Sequence, residues 1–425
     1  MADRGRDWRS ILLGLGGIAS ALAAFAFAAL MIIYSIVGVV RGDLGENGPT
    51  TLQAVVLASG VLLTGAVFLP ASYYSIQRLR GVPLPDIAPK LLKTWQGLLL
   101  LLLWAGAAFL AQLLIGNDIF KWFTPPLYLL AIGIPVYILV RLAAGGLNAG
   151  SPQRLWGIPA ASIALGMTFS IITEGALLLI GLVGGVVYLG LHPNLLTVFK
   201  QLANQLTDAS SIDTVLNAVE PWLNNPLILI LALSFFSGFT PLIEETAKSM
   251  ASWIVFDHLA SPAQGFVIGA LSGAGFGLVE SLLASATPDS SWAATLLIRG
   301  GSTMMHILTA SFTGWGIASL RNNKSVTRLI GSYALAIFLH GLWNAAVIMI
   351  VFGGLQMSAH GGPVGTILVG FGISVLGFLF LAIPLALGLI NRRLRRASAL
   401  PITKLSGENS GGVGGQPGEG LEGVQ

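Results

Sequence analysis

Apolar residues run along this chain in long blocks separated by short polar segments. About twenty apolar residues in a helix cross the hydrocarbon core of a bilayer. Read with that rule, the blocks predict ten helices, at 11–40, 52–76, 95–116, 122–143, 159–191, 226–255, 264–286, 293–320, 326–352 and 364–390. The alternation of a lipid-facing barrel strand is absent from the pattern, which excludes an outer-membrane barrel. The expected fold class is therefore all-α, a polytopic transmembrane helix bundle. The start, "MADRGRDWRS" followed by about thirty apolar residues, is too long for a signal peptide. It reads as a first span that is retained.

Composition strengthens this picture. The chain is 54% hydrophobic and only 9% charged, whereas soluble domains carry about a quarter charged residues. Fifty-four glycines suit helices that approach closely in lipid. The absence of cysteine removes disulfides, thiolate metal sites and cysteine nucleophiles. The net charge of +4 is explained by loop topology, not by nucleic acid.

Orientation follows from the positive-inside rule. With the N-terminus inside, one set of connections holds Arg4, Arg6, Arg9, Arg78, Arg80, Lys90, Lys93, Arg141, Arg154, Arg321, Lys324, Arg328, Arg392, Arg393, Arg395, Arg396 and Lys404. The other set holds only Arg41, Lys121 and Lys200. The bias favours an even number of spans with both termini in the cytoplasm, in the plasma membrane of a bacterium. Segment 192–225 is the longest connection, and its apolar spacing predicts two short interfacial helices on the outer face. The Gly-rich stretch 397–425 has little to bury and reads as a disordered tail. The expected organisation is a five-helix scaffold or regulatory region at 1–191, the segment 192–225, a catalytic bundle at 226–352, a last span within 353–396, and the tail.

Ionisable residues inside spans are rare and tend to be functional. Here they are Glu174, Glu244, Glu245, Lys248, Glu280, Arg299, His306 and His340. All but Glu174 fall in the sixth to ninth spans, so that half carries the chemistry. Glu174 has no basic partner in the first five spans and stays unassigned. His192, His258 and His360 fall in loops. Glu244 and Lys248 are four residues apart, which predicts a pair on one helix face. Glu245 then points about 100° away, leaving one carboxylate neutralised and one facing a cavity. Adjacent carboxylates raise each other's pKa, which suits general acid–base work. Pro241, just upstream, predicts a kink. Gly265, Gly269, Gly273 and Gly277 recur every fourth residue, a ridge for tight packing against a neighbour. Phe276 and Glu280 lie on the adjacent ridge, and the antiparallel eighth span brings Arg299 to the depth of Glu280. His306 shares nearly the same face as Arg299. His340 and Asn344 are one turn apart on the ninth span.

Glu244-Glu245-x-x-Lys248, Phe276-x-x-x-Glu280, His306 and His340-x-x-x-Asn344, on consecutive spans in this order, resemble the PrsW family of intramembrane proteases. That family is related to the CAAX-protease and bacteriocin-processing (CPBP) group. The resemblance covers about residues 236–350. It implies hydrolysis of peptide bonds in membrane-anchored proteins, in some members an anti-sigma factor. Many members have an Asn after the glutamate of the seventh span, where this chain has Ser281.

Two mechanisms suit these residues. In one, Glu245 or Glu244 is general base on a water positioned by His306, with His340 and Asn344 stabilising the oxyanion. In the other, a divalent metal, zinc by its preference for imidazole and carboxylate, is held by His306, His340 and glutamates, with Glu245 and Glu280 as the carboxylate ligands. The reading leans to the metal-free form. Lys248, Phe276 and Arg299 are expected in supporting roles. A proton-coupled transporter uses the same residue types, but their confinement to one half speaks against it. A third class is a non-catalytic scaffold or immunity-type protein. Ser272 in "GALSG" belongs to the glycine ridge and is not read as a nucleophile. An aspartyl protease needs two intramembrane aspartates, and the predicted spans contain none.

Overall fold

The computed structural model describes residues 7–41, 50–207, 214–215, 218–219, 222, 225–360 and 363–399. Among these residues all regular structure is helical. The order is α1 (Trp8–Arg41), α2 (Thr51–Leu79), α3 (Thr94–Ile115), α4 (Thr124–Ala144), α5 (Pro152–Ala161), α6 (Thr168–Leu191), α7 (Pro193–Thr207), α8 (Pro226–Ser234), α9 (Thr240–Ile254), α10 (Pro262–Ala284), α11 (Trp292–Asn323), α12 (Val326–His360) and α13 (Pro363–Ala399). A π-helical turn, Ser162–Met167, fuses α5 to α6. A second, Phe235–Phe239, fuses α8 to α9. The predicted fifth and sixth spans are thus each one continuous, interrupted helix.

Among the described residues, nine of the ten expected spans are long and apolar enough to cross a membrane. The tenth, α11, is a 32-residue helix. It carries Arg299, His306 and a run of Gly, Ser and Thr, which lowers its apolar character. His360 ends α12 instead of lying in a loop. Of the two interfacial helices expected at 192–225, α7 is present, and most of the second lies outside the described residues. The stretch 400–425, most of the expected tail, also lies outside them.

The centre of the bundle is α10, which is buried on nearly every face. Its glycine ridge lies against α11. A Cβ at Gly269 would overlap the Ala310 carbonyl, and one at Gly273 would overlap the His306 carbonyl. The small residues therefore set the spacing that brings His306 towards α9. Pro241 stands two residues after the π turn Phe235–Phe239, in the first turn of α9. The missing proline N–H and the wider turn together distort the helix just before the two glutamates. Gly341 completes the contact from α12, since a Cβ there would overlap the Ser237 carbonyl of that turn. The other π turn packs against α9 on its far side, where Gly166 faces the Ala247 carbonyl. Two wide turns thus flank the helix that carries Glu244, Glu245 and Lys248.

Candidate functional site

Glu244, Glu245 and Lys248 on α9, Glu280 on α10, His306 and Arg299 on α11, and His340 on α12 converge on one buried cluster. Lys248 is the hub. Its ammonium donates to Glu245 Oε1 at 2.6 Å and to His306 Nδ1 at 2.8 Å. It stands 5.1 Å from the centre of the Phe276 ring, a cation–π distance. The helical spacing predicts Glu244 as its partner, yet Glu244 Oε2 is 3.8 Å away. Glu245, the Phe276 ring and His306 together draw the ammonium towards α10 and α11, so the three-residue pair closes more tightly than the four-residue pair.

Glu245 is fully buried and its Oε1 collects three contacts. Besides Lys248, Thr309 Oγ1 donates to it at 3.0 Å, and His340 Nδ1 lies 2.8 Å away. A carboxylate that accepts from Nδ1 fixes the proton there and leaves His340 Nε2 with its lone pair free. His306 is set in the mirror sense. Its Nε2 meets Glu280 Oε2, which assigns the proton to Nε2 and leaves Nδ1 as the acceptor. Ser302 Oγ stands 3.3 Å from the same Nε2. Arg299 pairs with Glu280 at 2.7 Å, as the antiparallel spans predict. The two imidazole rings stand edge to face, 5.2 Å apart between centres.

Two imidazole nitrogens turn towards one oxygen: His306 Nδ1, which also accepts from Lys248, and His340 Nε2. Glu244 Oε2 is 3.8 Å from His306 Nδ1 and 3.7 Å from His340 Nε2. It is buried and has no hydrogen-bond partner. An orphaned carboxylate oxygen facing two imidazole lone pairs is the donor set of a borderline metal such as zinc. One ligand atom from each of Glu244, His306 and His340 lies within 4.8 Å of the others. Charge balance agrees. Lys248 is closest to Glu245 and Arg299 pairs with Glu280, which leaves Glu244 as the carboxylate with the longest ion pair, 3.8 Å to Lys248. Each histidine is backed by its own glutamate, the outer-shell arrangement that orients ligating imidazoles. The residues therefore fit a divalent metal. Of the metal ligands expected from sequence, His306 and His340 stand in this group, whereas Glu245 and Glu280 stand behind the histidines.

A model of the PrsW family intramembrane metalloproteases matches residues 161–382. The chain belongs to this family. The match begins at the last residue of α5, just before the π turn, and ends within α13, so it reaches well beyond the four motifs at 236–350. It takes in α6, which the sequence reading grouped with the N-terminal scaffold, and the wall that Ser162–Met167 forms against α9. Searches of curated proteins and of solved structures returned no match.

Four residues of interest stand apart from the PrsW cluster's centre. Asn344 donates to the Phe236 carbonyl at 2.8 Å and so ties α12 to the π turn. Ser281 shares a hydrogen bond of 3.0 Å with Thr303, joining α10 to α11. Glu174, half-buried on α6, accepts from Ser170 at 2.7 Å. Ser272 donates to the Lys248 carbonyl at 2.5 Å within the packed interface, the place of a structural hydroxyl. The sequence reading missed Thr309 and Ser302. Both were accessible to it: they lie three residues after and four residues before His306, and so share its helix face.

Proposed function

We propose that this PrsW-family protein is an endopeptidase that hydrolyses peptide bonds of membrane-anchored proteins at the Glu244–His306–His340 centre. One observation carries the reading: a buried, unpartnered Glu244 Oε2 faces two imidazole nitrogens whose tautomers are set by Glu245 and Glu280. Glu244, His306 and His340 hold a divalent ion, zinc by donor type. When bound, the ion supplies Lewis-acid polarisation and a nucleophilic water at neutral pH.

The chain's own groups do the rest. Glu245 holds the proton on His340 Nδ1, and Glu280 holds it on His306 Nε2. Glu280 is the most open of the three glutamates, with 30% of its side chain exposed against 10% for Glu244 and none for Glu245. Its Oε1 is held by Arg299 and its Oε2 by His306 Nε2, so it orients that imidazole from behind. Lys248 keeps a positive charge within 3.8 Å of Glu244 Oε2, beside the position where a carbonyl oxygen becomes an oxyanion. Asn344 holds the π turn, and with it the start of α9. The ten-span topology with both termini in the cytoplasm, a bacterial plasma membrane and an anti-sigma-factor-like substrate belong to the same proposal.

The contact of Lys248 Nζ with His306 Nδ1 favours a second reading. There the lysine keeps the place of the metal, and Glu244 Oε2 activates water directly. Cleavage of a single-span reporter in proteoliposomes separates the two. Loss of cleavage in chelator, restored by zinc, supports the metal form, and full cleavage by metal-free protein supports the other. Absence of cleavage under both conditions, with ion flux across the vesicle, would replace both with the transporter class. A Glu244→Gln variant that still functions in cells would point to a scaffold.

A further inference from the structure

A cavity of about 530 Å³ lies away from the proteolytic centre, between α1, α2, α5 and the end of α9. Its volume is that of a small-molecule site. Leu12, Gly16, Leu165 and Ile254 line its length. From Arg9 to Ser20, both on its wall, α1 advances eleven residues, or about 16 Å at 1.5 Å per residue. That depth reaches well into the hydrocarbon region, where the solvent is acyl chain, not water.

Its mouth has a different character. Arg9, Arg78, Arg154 and His258 line it. Arg78 pairs with Asp7 at 2.8 Å, and Arg9 with the largely exposed Asp257 at 3.2 Å. Arg154 has no carboxylate within 4.0 Å among the described residues, and donates only to the His258 carbonyl at 3.3 Å. Asp86 acts on it from beyond that reach. Arg9 Nε is buried without a hydrogen-bond partner. Burial and then Arg154, Arg9 and Arg78 hold the imidazole of His258, outside the spans, below its ordinary pKa, against the opposing pull of Asp257. Basic pockets between helices at the arginine-rich side of a membrane protein suit anionic headgroups.

We propose that this cavity binds one anionic phospholipid, with an acyl chain along Leu12, Gly16 and Leu165 and the phosphate against Arg154 and Arg9. Ala251 and Ile254 of its wall belong to the same helix as Lys248, and Val255 caps that helix. The bound lipid therefore joins the N-terminal helices to the end of α9. The proposal stands on the cavity and its charges, independently of the proteolytic reading.

The test is native mass spectrometry of the full chain in mild detergent, with phosphatidylglycerol and phosphatidylcholine offered at equal mole fraction. Glycerol phosphate serves as the free headgroup. One phosphatidylglycerol per chain is expected, retained about tenfold over phosphatidylcholine. Arg154→Gln should abolish that preference, and Arg154→Lys should keep most of it. Gly16→Leu fills open space, since a Cβ there meets nothing within 4 Å. It should reduce retention of both lipids. Equal retention of the two lipids by the native chain would overturn the proposal. So would unchanged phosphatidylglycerol retention in Arg154→Gln and Gly16→Leu, or glycerol phosphate binding as tightly as the whole lipid.

Discussion

Lys248 Nζ and Glu245 Oε1 lie 2.6 Å apart, and neither side chain reaches solvent. Removing one partner of a buried pair leaves an uncompensated charge, which costs about 3–5 kcal/mol. Lys248→Met should therefore lower stability by that order, read as a fall in unfolding midpoint in detergent. The double variant Lys248→Met with Glu245→Gln should recover a good part of the loss. A Lys248→Met protein as stable as the native chain would contradict the pairing.

Glu244 and Glu245 are neighbours in sequence with opposite expected phenotypes. Glu244 Oε2 makes no hydrogen bond, so Glu244→Gln should abolish cleavage while leaving the unfolding midpoint nearly unchanged. Glu245 Oε1 holds Lys248, Thr309 and His340. Loss of such an outer-shell carboxylate typically costs about 10–100-fold in metal affinity. Glu245→Gln should show that loss in a zinc titration together with reduced stability.

Arg299 and Glu280 pair at 2.7 Å with side chains 17% and 30% exposed. Because water screens part of this pair, Arg299→Gln should cost less than a fully buried break, about 1–2 kcal/mol. It should also weaken cleavage through His306, whose Nε2 rests on the same carboxylate. Normal cleavage in Arg299→Gln would show that Glu280 needs no fixed position.

The glycine ridge offers a packing test. Gly269→Leu drives a side chain into the Ala310 carbonyl and should destabilise by at least about 1–3 kcal/mol. Gly354 on α12 has nothing within 4 Å of an added Cβ, so Gly354→Ala should be silent. Comparable unfolding midpoints for the two variants would contradict the close α10–α11 contact.

Much of this was legible in the sequence, for physical reasons. A polar group in a span needs a partner, so Glu280 and Arg299 announced one another by depth alone. The four-residue glycine period announced the α10–α11 contact in the same way. The choice between Glu244 and Glu245 as the partner of Lys248 was not legible. Helical spacing weighs only contacts along α9, while the Phe276 ring and His306 pull from other helices. Asn344 was misleading for a related reason. Its spacing from His340 puts both on one face, but the carbonyls freed by the π turn claim its amide, and no local pattern announces such a turn. Thr309 shares the helix face of His306, but it is one of several threonines on α11, and only the packing of α11 against α9 singles it out for Glu245.

The proposed metal held by Glu244, His306 and His340 is best sought by anomalous diffraction at the zinc edge, from crystals of the active, zinc-supplemented protein. One peak is expected about 2 Å from Glu244 Oε2, His306 Nδ1 and His340 Nε2, with the Lys248 ammonium withdrawn from His306. Protein that cleaves its substrate yet shows no peak among these three side chains would contradict it.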